Sequence, residues 1–103
     1  MNINTEIDRE RLAEIAAAAV AKLNPESATD KRWLNCIARA VAEVETNPYL
    51  TFEPNNKSLL ILSESSGQIY SANGTCQCKA FEFGNPCFHR ALARLIVRYL
   101  EMQ

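Results

Sequence analysis

A chain of 103 residues, 48% hydrophobic and 22% charged, has room for one domain, or one small domain with a helical extension, and is too apolar for global disorder. Its formal charge of −1 is uneven: residues 1–56 carry nine acidic and six basic groups, residues 57–103 five basic and three acidic. So mild a balance does not by itself announce a nucleic-acid binder.

The opening stretch "MNINTEIDRE" is polar and acidic where a secretory signal would be basic and then apolar. The longest apolar run, Ile15 to Ala21, falls short of the ~20 residues that span a bilayer. A cytoplasmic protein without membrane contact is expected, in a compartment where thiols stay reduced.

In chain order, Thr5 with Asp8 three residues on resembles a capping box. Ile7, Leu12, Ile15, Ala16, Ala19, Val20 and Leu23 then follow helical spacing and predict a helix over about residues 5–23. "NPES" stops it, because proline disfavours a helical residue before itself. Ser27 or Thr29 can cap a second helix, about 28–46, with Trp33, Ile37, Ala40, Val41 and Val44 on one face. The short connection favours an antiparallel helical hairpin, residues 1–47. Cys36, with no cysteine or histidine near it in sequence, reads as a small buried apolar residue.

"TNPYLTFEPNNK" breaks the helical period with two prolines and three asparagines. It predicts a linker, 48–56, with a short extended segment around 49–52. "SLLILSES" and "QIYSA" read as two strands of a hairpin. In "NPCFHRALARLIVRYLEMQ", Asn85 is expected to cap a final helix, with Pro86 at its first position. Phe88, Leu92, Leu95, Ile96 and Tyr99 form its apolar stripe. The expected fold is α+β: a helical hairpin, then a metal-stapled ββα module over residues 57–103.

The staple comes from "CQCKAFEFGNPCFH", which holds three of the four cysteines and the sole histidine. Clustered cysteines in a reducing compartment point to metal before disulfide. Three thiolates and one imidazole suit tetrahedral zinc, and four protein ligands close the coordination sphere of a structural ion. In an extended segment Cys76 and Cys78, two apart, face the same side. Two residues apart on a helix are about 200° apart. Cys87 is therefore expected at the irregular helix edge, with His89 in the first turn. Amides at a helix start favour thiolate charge there. An iron–sulfur cluster normally takes four cysteines, a catalytic zinc keeps an open position, and a nucleophilic Cys–His pair lacks an accompanying acid, base or oxyanion site. No enzymatic activity is expected.

This stretch resembles a SWIM-type zinc finger: Cys-x-Cys, a variable gap, then Cys-x-His. The resemblance covers about residues 57–100. It carries the metal ligands over to Cys76, Cys78, Cys87 and His89, with one structural Zn2+. Its surroundings also match, with Phe81 after the first pair, Gly84, Pro86 and Cys87 as the lead into the second, and a hairpin upstream. Phe88 stands where members often place a basic residue. The resemblance implies nucleic-acid binding, DNA foremost, or service as an accessory to a DNA-processing protein; the alternative is a protein-interaction adaptor without nucleic-acid contact. Arg90, Arg94 and Arg98, at i, i+4 and i+8, form a candidate binding row, with Lys79 beside it; the same row also reads as a solvated helix face. Self-association through the first two helices is a further expectation.

Overall fold

The computed structural model describes residues 2–47, 50–62, 67, 69–72 and 84–102. The expected first helix is divided. Helix α1 spans Ile3–Glu6 and α2 spans Arg9–Ala21. Asp8 causes the division: extended at φ −74° and ψ 115°, it accepts from the amides of Glu10 and Arg11 and caps α2. Thr5 does not cap; its hydroxyl donates to the Asn2 carbonyl one turn back. Ile3 in α1 and Ile7 within the break are buried, which fixes the bend against the core.

Helix α3, Ala28–Thr46, agrees with the expected span and is capped by Ser27, whose hydroxyl accepts from Asp30 N–H. Ile37, Ala40 and Val44 are buried along one face. Asn47, buried past the end of α3, donates its side-chain amide to the Glu43 carboxylate at 3.0 Å and to the Leu62 carbonyl at 3.1 Å. One side chain thus joins the end of α3 to the sheet.

The stretch expected as a linker contains strand β1, Leu50–Glu53. It pairs antiparallel with β2, Ser58–Leu62, which pairs antiparallel with β3, Ile69–Ala72. The order is β1-β2-β3. Prolines at the ends of an edge strand remove no bond of the β1–β2 ladder, so they do not forbid β1, whose outer side meets the chain again at the Asn2–Thr51 bridge. The turn between β1 and β2 puts Lys57 at φ 52°. One face of the sheet, Leu50 opposite Ile61 and Phe52 opposite Leu59, turns into the core. The other exposes Leu60 and Ile69.

Helix α4, Phe88–Glu101, is central. It packs on α2, α3, β2 and β3. Its buried residues reach well beyond the expected stripe to include Ala91 and Ala93, and a helix covered on most sides must be an interior one. The Tyr99 hydroxyl accepts from Asp8 N–H at 3.1 Å, and Arg11 donates to the Met102 carbonyl at 3.2 Å. These bonds tie the last turn of α4 to the start of α2. The architecture is mixed helix and antiparallel sheet, with helices α1, α2 and α3 sharing one buried core with the sheet and α4. None of the described helices is long and apolar enough to cross a membrane.

Candidate metal centre

The second half of the expected ligand set is built where α4 begins. Gly84 lies at φ 75°, a left-handed conformation that residues with a Cβ rarely adopt, and turns the chain toward the helix. Asn85 does not cap α4. Its side-chain oxygen accepts from Arg32 of α3 at 3.0 Å. The cap is Cys87, extended at φ −132° and ψ 151°, with its Sγ accepting from Arg90 N–H at 3.4 Å. Pro86 accordingly precedes the helix. A sulfur in this place has a donor to stabilise negative charge on it.

Cys87 and His89 are both buried, 4% and 7% exposed. Cys87 is extended and His89 is helical, so the two do not share one helical rise and rotation. This is the irregular edge that the two-residue spacing requires. The His89 ring lies 4.0 Å from the Phe88 ring, centroid to centroid. The His89 pKa is lowered from 6.5 to about 4, by burial first and by the Arg39 charge second, with Glu43 partly opposing both. The imidazole is neutral at physiological pH, the form a metal takes. By donor chemistry and burial, these two residues fit half of a zinc site.

Helix α3 is the wall of this half-site. The Arg39 guanidinium stands over the Phe88 ring, 4.1 Å from its centroid. Arg32, Cys36, Arg39 and Glu43 sit at i, i+4, i+7 and i+11, a single helical stripe beside the core stripe. Three of its members act on the segment from Asn85 to His89. That spacing was the sequence signal for a polar wall. Cys36 itself is half-buried and packs against the core. Cys76, Cys78 and Lys79 lie outside the described residues, as do Phe81 and Phe83. Among the described residues no group of three Cys, His, Asp or Glu side chains gathers to hold a metal.

The three arginines of α4 do not share one environment. Arg90 is half-buried, with its guanidinium 5.4 Å from the centre of the Trp33 ring. Arg94 and Arg98 are exposed. A residue four places on is about 40° further round the helix, so the row drifts by about 80° from Arg90 to Arg98. That drift takes one end under α3 and leaves the other in solvent.

No family model, no curated protein and no solved structure matches this chain.

Proposed function

We propose that the chain is a small zinc-binding module of the SWIM type that serves as an accessory to a DNA-processing protein. Cys76, Cys78, Cys87 and His89 would hold one structural Zn2+. Such an ion supplies ~10–16 kcal/mol of apparent binding energy that appears as folding energy. The observation that carries this reading is the placement of Cys87 and His89: both are buried, at the irregular start of the central helix, with Sγ accepting a backbone amide. The DNA context comes from the sequence resemblance.

Two observations favour protein contact over a direct grip on nucleic acid. Arg90 is engaged with Trp33, which leaves Arg94 and Arg98 as the exposed pair of the row. Phe88, where a basic side chain would have added charge, lies under Arg39. The second reading, direct DNA binding through Arg94, Arg98 and Lys79, rests on the basic balance of residues 57–103.

The test measures zinc per chain on protein purified without added metal, then binding to single- and double-stranded DNA across a salt series. One zinc per chain with weak, salt-labile DNA binding supports the accessory reading. Tight DNA binding lost in Arg94→Ala/Arg98→Ala with zinc retained supports direct binding. Absence of zinc removes the zinc module and leaves DNA binding to be judged by the salt series alone.

A further inference from the structure

An open groove of about 630 Å³ runs between α2, α3 and α4. Its floor is apolar: Leu23 just past the end of α2, Trp33 and Ile37 of α3, and Leu95 and Val97 of α4 all line it. Its edges are cationic. Lys22, Lys57, Arg94 and Arg98 line it, against Glu101 as the acidic member. The lysine that caps the end of α2, the lysine of the β1–β2 turn and two arginines from α4 thus converge from three separate parts of the chain. Residues 1–56 as a whole are net acidic, so this rim runs against the charge of the half that supplies Lys22.

An occupant must satisfy both features. A nucleic-acid strand would use the cations but needs aromatic faces for its bases. Among the described lining residues Trp33 is the aromatic one, and the Arg90 guanidinium already lies 5.4 Å from its ring centre. The other described residues of the floor are aliphatic and offer bases no stacking surface. An amphipathic helix with an acidic flank meets both demands. Its apolar stripe covers the floor and its carboxylates meet the rim. From Ala91 to Glu101, the lining stretch of α4 extends about 15 Å at 1.5 Å per residue, enough for about three turns of a partner helix.

We infer that this groove docks an acidic amphipathic helix of a partner protein. The inference rests on the accessory reading and gives it a surface. Lys57 places the sheet at the groove's edge, and Val97, half-buried among α4 cations, becomes part of a covered contact instead of an isolated apolar residue.

The probe is a fluorescent helical peptide of about four turns, leucines at i, i+4, i+7 and i+11 and glutamates between them, followed by anisotropy at low salt. Controls are a scrambled peptide of the same composition and oligothymidylate. Saturable binding of the amphipathic peptide, with the scramble at least tenfold weaker, is the expected result. The Arg94→Glu/Arg98→Glu protein should lose about tenfold or more of that affinity while retaining its metal and its melting temperature. These residues are exposed, so the substitutions leave the core intact. No saturable binding, or equal binding of the scramble, overturns the inference. So does oligothymidylate binding abolished by the same substitutions, which assigns the groove to nucleic acid, or a dimer abolished by them, which assigns it to a second copy. Zinc content measured on the same samples keeps the two proposals apart: metal without peptide binding defeats the groove alone, and peptide binding without metal defeats the zinc module alone.

Discussion

Arg32 on α3 donates to the side-chain oxygen of Asn85, 3.0 Å away and 53 residues later in the chain. The segment that presents Cys87 and His89 is therefore held by the helical hairpin as well as by its own turn. Arg39 over Phe88 repeats the link about two turns further along α3. Helix α3, which the zinc-finger resemblance leaves unexplained, thus forms one wall of the candidate site.

The Arg32–Asn85 bond is exposed, so each single substitution, Arg32→Ala or Asn85→Ala, should cost at most about 1 kcal/mol. The double variant should cost little more than either alone, because both remove one bond. Denaturant unfolding of the four proteins checks this. Additive losses would show that the two residues act separately.

The arginines of α4 should divide. Arg90→Ala loses packing against Trp33 and should destabilise by about 1 kcal/mol. Arg94→Ala and Arg98→Ala should each stay within about 0.5 kcal/mol of the parent. Melting temperatures of the three variants decide it, and equal effects would contradict the burial difference.

That division also marks how far sequence can be read here. The span of α3, the apolar stripe of α4 and the two strands of the hairpin were legible, because each depends on period and local caps. The break at Asp8 was not: a capping aspartate inside an apolar-periodic run competes with helix continuation, and only the burial of Ile3 and Ile7 decides the outcome. Strand β1 was legible only as a short extended segment around 49–52, since its flanking prolines, which an edge position tolerates, hid that it joins the sheet. At the site, two-residue spacing correctly required Cys87 at an irregular edge with His89 in the first turn. It missed that Cys87 itself is the cap, since cysteine is outside the usual capping residues. The fate of Arg90 depends on where α3 lies, and spacing within α4 carries no information about that.

Tyr99→Phe should cost about 1 kcal/mol. The ring stays in place, but the buried hydroxyl no longer accepts from Asp8 N–H. For a chain of this size that lowers the melting temperature by about 4–8 °C. A thermal melt checks it; an unchanged midpoint would show that the bond between α2 and α4 contributes nothing.

His89, the sole histidine, gives one set of imidazole signals in a proton NMR titration. It should remain neutral at pH 5.5, whether ligated or held by burial alone, with protonation only near pH 4. Because burial depresses its pKa below the unfolded value of 6.5, the unfolded chain takes up the proton first. Its contribution to stability is therefore complete above pH 6.5 and is lost as the pH falls toward 4. A midpoint near 6.5 in the folded protein would place the ring in solvent.

Metal content tests the central claim most directly. Protein purified without added zinc and measured by elemental mass spectrometry should carry one zinc per chain. Replacement by Co2+ should give the absorption of a tetrahedral thiolate site, lost on substitution of Cys76, Cys78, Cys87 or His89. A metal-free chain whose melting temperature is unchanged by added zinc or by a chelator would contradict it.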